Sequence, residues 1–169
     1  MGLWHTGIIS WQCYNAFMTK TGIHELQFII DHALKILSQR PQSVFELKMK
    51  LSRYARRKKI ENVSDHVEQV IQNLSERDIV NDELFAQWYV QERQDFRPRS
   101  KIKLRKELAD KGIERSIISS SLERYYDEEL ACRNLAHQKR HMDTAGRKHY
   151  LIRQGFPYEL VDYVLAGLS

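Results

Sequence analysis

The sequence is short of helix breakers, of cysteine and of long apolar runs, and each shortage closes off a class of protein. Only three prolines and seven glycines punctuate 169 residues. With long stretches of Lys, Glu, Leu, Gln and Arg between them, that composition predicts an all-α chain. Two cysteines, Cys13 and Cys132, stand in no metal or redox spacing, so a reduced cytosolic chain is expected. No apolar run approaches the roughly 18 residues that cross a membrane, and the N-terminus lacks both the basic start and the continuous apolar core of a signal peptide. Partners in a membrane are therefore not expected.

The chemistry of enzymes is thin as well. There is no glycine-rich phosphate loop, no Gly-x-Ser-x-Gly and no Cys-x-x-Cys. Of the histidines His5, His24, His32, His66, His137, His141 and His149, only His137 and His141 stand one helical turn apart. No carboxylate or thiol at ligand spacing joins them, and a structural zinc wants four ligands. A solvated pair is the simpler reading. Asp127, Glu128 and Glu129 are consecutive, which suits complementing the positive end of a helix better than acid–base work. Neither catalysis nor a cofactor is expected.

What the chain does have is 42% hydrophobic residues, enough for a core, and a net charge of +5. Its length fits one domain or a short array of small units. The positive charge makes an anionic partner plausible without naming it, and an ordinary soluble protein of that charge stays an open alternative.

Residues 1 to 22 differ from the rest. Trp4, Ile8, Ile9, Trp11, Tyr14 and Phe17 keep no clean helical spacing, so an N-terminal extension (1–25) is expected, with Met18 a candidate start. After it the helical rhythm begins. Ile29, Ile30, Ala33, Leu34 and Leu37 make a buried stripe that Pro41 interrupts. Ser43, with Glu46 as its capping-box partner, opens a second helix lined by Val44, Leu47, Leu51, Tyr54 and Ala55. Arg56, Arg57, Lys58 and Lys59 close it, and Asn62 opens a third with Val63, Val67, Val70, Ile71 and Leu74 inside.

A fourth helix starts at Asn81 or Asp82, with Leu84, Phe85, Trp88 and Tyr89 on its buried side. The fifth runs from Arg99 to Lys111 and Gly112 ends it. Ile113, Ile117, Ile118 and Leu122 mark a sixth, Leu130, Leu135 and Ala136 a seventh, His149 to Gln154 an eighth. Pro157 starts the ninth at its first helical position, followed by Leu160, Val161, Val164 and Leu165.

The pattern repeats. A shift of 43 positions lays Leu108 on Leu151, Gly112 on Gly155, Ile113 on Phe156, Ile117 on Leu160, Ile118 on Val161 and Leu122 on Leu165. The first group fits less well, because Arg56 to Lys59 replace the glycine. Three tandem three-helix repeats follow, at 26–79, 80–125 and 126–169. Units this small should lean on one another in an elongated, curved array, with one compact nine-helix bundle as the alternative.

The charge is concentrated in the middle repeat. Between Arg97 and Lys106, six of ten residues are basic: Arg97, Arg99, Lys101, Lys103, Arg105 and Lys106. At about 100° per residue, Arg99, Lys103 and Lys106 form one stripe, while Ile102, Leu104 and Leu108 anchor the helix. Like charges at this spacing repel, so such crowding has to be compensated. Arg93 and the Arg56, Arg57, Lys58, Lys59 cluster add to the field. A contact with single- or double-stranded DNA through backbone phosphates is expected, since no aromatic interleaves the cations to stack bases. An acidic protein groove fits the same residues, as does a merely solvated basic face.

Asp82-Glu83-Leu84-Phe85-Ala86-Gln87-Trp88-Tyr89-Val90 resembles the Asp-x-x-Phe-Ala-x-x-Tyr-Val signature of the RecX family of recombinase regulators. Arg93, Pro98, Ile102, Glu107-Leu108 and Lys111-Gly112-Ile113 continue that family's central block. Ala33 to Arg40 with Ser43, Glu46-Leu47 and Leu51 is similar to its first helix pair, and Arg153 to Val161 to its last. Asp78-Ile79-Val80-Asn81-Asp82 departs from the usual Gly-Tyr-Leu-Asp-Asp. The resemblance spans roughly Phe28 to Leu168. It implies three three-helix repeats in a cytoplasmic monomer that binds the groove of the RecA recombinase filament and mostly inhibits it, damping the DNA-damage response. An independent nucleic-acid-binding module and a helical scaffold for an acidic protein are the competing expectations.

Overall fold

The computed structural model describes residues 24–168; the first 23 residues of the expected N-terminal extension, with Cys13 and the candidate start at Met18, lie outside them, while His24 and Glu25 already belong to the first helix. Among the described residues every regular element is an α-helix. They are α1 His24–Leu37, α2 Val44–Arg57 and α3 Val63–Glu76, then α4 Asp82–Phe96, α5 Lys101–Asp110 and α6 Arg115–Tyr125. α7 Glu128–Gln138, α8 Thr144–Arg153 and α9 Tyr158–Ala166 complete the chain.

Three triplets are built to one plan, legible in their middle helices. Each of α2, α5 and α8 begins on a side-chain cap: Ser43, Ser100 and Asp143 accept from the amides of Glu46, Lys103 and Gly146. Such a cap stabilises by about 1 kcal/mol. Each also ends on a left-handed residue, Lys59 at φ 58°, Gly112 at 77° and Gly155 at 88°. There the next amide reaches back to the last turn, Ile60 to the Ala55 carbonyl, Ile113 to Leu108 and Phe156 to Leu151. Lys59 thus holds the glycine position of the first triplet. The basic run before it lengthens α2 to 14 residues against 10 in α5 and α8, about one extra turn.

The chain divides into two compact units, up to Asn81 and from Asp82 onward. The first triplet closes a core of its own, with Leu26, Ile29, Leu47, Leu51, Val67 and Val70 at 2% exposure or less. The second and third triplets share one core instead. Phe85, Val90, Leu104, Leu108, Leu122, Leu135, Leu151 and Val161 belong to a single buried cluster, in which α4 packs on both α6 and α7. The alternative of one nine-helix core is thereby overturned, because the described residues bury two.

Several local expectations need correction. α5 starts at Lys101 behind the Ser100 cap, two residues later than Arg99. Pro157 is the cap of α9, not its first helical residue. Ile102 does not anchor α5 but is 66% exposed, and Leu84 and Leu130 also face solvent. Neighbours on the helix wheel fill the core positions in their place: Leu104 and Leu108, Phe85 and Ala86, Ala131 and Cys132.

Candidate functional site

The stretch from Arg93 to Lys111 holds eight basic against three acidic residues, an excess equal to the net +5 of the whole chain. Its cations fall into two sets. The first is engaged inside the fold, through one carboxylate. Glu107 on α5 accepts from the Tyr89 hydroxyl at 2.7 Å and from Arg93 Nε at 3.0 Å, and pairs with Arg99 Nε at 3.5 Å. Arg93 also donates to the Tyr89 hydroxyl at 2.8 Å, lies over that ring at 4.7 Å and pairs with Glu92 at 3.5 Å. This network ties α4 to α5. Burial, then the bond to Glu107, pushes the Tyr89 phenol up to about 12. Burial works against the Arg93 charge, yet Tyr89 and Glu107 outweigh it and its pKa is raised.

α5 is also held from the third triplet. The amide of its first residue, Lys101, donates to Glu128 at 2.8 Å, and Lys103 Nζ donates to Gln154 at 2.8 Å. Tyr126 donates its hydroxyl to the Arg99 carbonyl; burial, with Glu128 nearby, raises its pKa far above the ordinary phenol range. Gly155 comes so close that a Cβ there would stand 2.6 Å from Ser100 Oγ. Glu128 therefore serves a helix end, as its acidic neighbourhood suggested, although the end is that of α5. Asp127 caps α7 itself, and Glu129 pairs with Arg133 at 2.8 Å.

The second set faces outward. Arg97, Arg105 and Lys106 are exposed and Lys101 is half-exposed, and no ion pair among the described residues engages their side chains. The expected stripe of Arg99, Lys103 and Lys106 is thus split. Arg99 precedes the helix and leans on Glu107, Lys103 is tied to Gln154, and Lys106 alone is exposed. In the other unit, Arg56, Arg57, Lys58 and Lys59 are all exposed at the end of α2, with Lys58 Nζ 6.0 Å from the Tyr54 ring centre. Beside them His32 stacks on Tyr54 at 3.9 Å; its partial burial, then Arg57 and Lys35, lowers its pKa.

Residues 81–122 match the family model described as RecX, second three-helix domain. A regulatory protein RecX from Chlorobium limicola is 30% identical over 144 residues, covering 81% of this chain and 87% of that protein. The chain belongs to the RecX family. The RecX of Pelodictyon phaeoclathratiforme is 30% identical over 84% of its length. That of Corynebacterium efficiens is 32% identical, with 74% of this chain spanning 64% of the relative. A crystal structure of RecX from Lactobacillus salivarius shares the fold at a TM-score of 0.61 and 21% identity, over 85% of this chain and 96% of that one. A second, titled regulatory protein RecX, shares it at 0.62 and 19% identity, over 83% of this chain and 71% of that one. The matched RecX domain contains all of α4 and α5 and most of α6, and so the whole Glu107 network.

Elsewhere the chemistry is quiet. Among the described residues no three His, Cys, Asp or Glu side chains gather where a metal would sit, and no helix is long and apolar enough to cross a membrane. His137 and His141 are exposed. Cys132 is buried, and that burial raises its thiol to about 11.

Proposed function

We propose that this chain is a non-enzymatic modulator of the RecA recombinase that inhibits it by occupying the groove of the RecA–DNA filament. The observation that carries the reading is the outward set Arg97, Lys101, Arg105 and Lys106, unpaired among the described residues and mounted on, or just before, a helix that α4 of its own triplet and the third triplet hold in place. A cationic face fixed on a rigid element suits docking on an anionic filament without ordering a loop first. Membership of a family of regulatory proteins supports the same reading. Arg93, Arg99 and Lys103 serve chiefly to set the helix, while Arg56, Arg57, Lys58 and Lys59 form a second cationic site. The working unit is taken as a cytoplasmic monomer with repeats at 26–79, 80–125 and 126–169.

The test is RecA ATP hydrolysis on single-stranded DNA, titrated with this protein. Inhibition at micromolar protein is expected, relieved when Arg97, Lys101, Arg105 and Lys106 are changed together to Gln. Unchanged hydrolysis alongside retained DNA binding would instead make the chain an independent nucleic-acid-binding module. In that case the same substitutions shrink the salt slope on single strands by roughly 0.7 per lost phosphate contact.

A further inference from the structure

Ile102 is the second residue past the Ser100 cap, and its side chain is 66% exposed. Arg105 and Lys106 stand three and four positions on, which puts all three on one face of α5. Phe96, at the end of α4 just before the turn into α5, is 72% exposed. A single exposed apolar residue means little. This one recurs, however. The second residue past the Ser43 cap of α2 is Phe45, 48% exposed, with Met49 one turn on at 51% and the exposed Arg53 one turn beyond. Two middle helices of the same plan thus present a bulky apolar side chain at the same position, with cations beside it.

Phosphate contacts are made by charged and polar donors, and a branched aliphatic chain gives bases no π-face to stack on. An apolar anchor ringed by cations is instead the complement of a protein pocket with an acidic rim. The pocket desolvates the anchor, and the rim sets orientation and speeds encounter.

We propose that the outer face of α5, with Ile102 as anchor, Arg105 and Lys106 beside it and Phe96 preceding it, docks on an acidic protein surface that carries an apolar pocket, and that the Phe45–Met49 face of α2 is a second contact of the same kind. This rests on the filament reading above and assigns the α5 face to the protein of the filament, not to its phosphates.

The full chain is compared with Ile102→Ser/Phe96→Ser and with Phe45→Ser/Met49→Ser, on two probes: RecA filaments on single-stranded DNA, and a bare thymidine oligonucleotide. Because the side chains are exposed, the melting temperature should stay within a few degrees of the parent in both variants. Expected for the α5 variant is about a tenfold weaker affinity for the filament, with affinity for the bare oligonucleotide changed less than twofold. The α2 variant should lose filament affinity to a smaller degree. Equal losses on both probes would assign the face to DNA, and undiminished filament binding by the α5 variant would remove its anchor; either overturns the proposal. If the unaltered chain itself fails to bind the filament, the filament reading falls and takes this assignment with it.

Discussion

α2 and α5 are the same device built in two settings. Both start on a serine cap, bury leucines in their centre and end on a left-handed residue. α2 works inside a triplet that closes its own core. α5 lies in a core shared by two triplets and takes polar support from α4, α7 and the turn after α8. The difference teaches where basic residues are tolerated. In α2 they begin at Lys48 and Lys50, pass through Arg53 and are densest at Arg56 and Arg57 in the last turn, where the helix dipole favours them. In α5 they crowd the first two turns, where the dipole opposes them, and Glu107 of α5 itself, with Glu128 and Gln154 of the third triplet, holds Arg99, the Lys101 amide and Lys103 in place.

The largest test of that contrast is deletion of buried side chains. Leu104→Ala and Leu47→Ala should each cost about 3 to 4 kcal/mol. Hydrogen exchange read along the chain should show Leu104→Ala loosening α4 through α9 together, whereas Leu47→Ala loosens only α1 to α3. Uniform loss of protection in either variant would contradict separate cores. Next, Glu107→Ala should destabilise the second unit by about 2 kcal/mol through the lost charged hydrogen bonds. It also releases Arg93 and Arg99, so binding to a bare oligonucleotide should tighten and its salt dependence steepen. Denaturant titration and anisotropy measure the two effects separately.

The three helix ends sharpen the comparison further. Gly155→Ala should cost about 2 kcal/mol, since it strains a left-handed residue and crowds the Ser100 cap. Gly112→Ala should cost about 1 kcal/mol through its left-handed backbone. Lys59→Gly should run the other way and stabilise the first unit by about 0.5 kcal/mol, because it relieves a left-handed side chain. The smallest effect concerns His32. Its lowered pKa means that the unfolded chain binds the proton more tightly. The contribution is therefore present above pH 6.5, the ordinary value, and lost as pH falls through the lowered one. His32→Gln should flatten that part of the first unit's pH–stability profile.

Much of this was legible in the chain itself, because it was local. The stripes Leu47–Leu51 and Val67–Val70–Ile71–Leu74, the Ser43 cap and the glycine stops at Gly112 and Gly155 each follow from spacing within one turn or two. Ser100 was harder to find, since its third neighbour is Lys103 and not the Glu or Gln of a capping box, while Pro98 nearby looks like a start. The paired state of Arg93 and Arg99 depends on Glu107, 14 and 8 positions away on another element or its approach. The polar ties between the second and third triplets, added to their shared core, come from Glu128 and Gln154 meeting Lys101 and Lys103. No helical period carries such information. Ile102 was misplaced for a related reason: within one helix an apolar residue reads as inward, and only the packing of the neighbouring elements shows that it faces out.

The bond from the Lys101 amide to Glu128 has a further consequence for how the protein is made. The start of the basic helix is completed by a carboxylate that leaves the ribosome 27 residues later, and Gln154 reaches Lys103 only after 51. Domains tend to fold in the order of their synthesis. The first triplet can therefore settle while the chain is still growing, whereas α5 stays provisional until nearly the last helix has emerged. A nascent chain halted after α6 should carry a structured first unit and no firm cationic face.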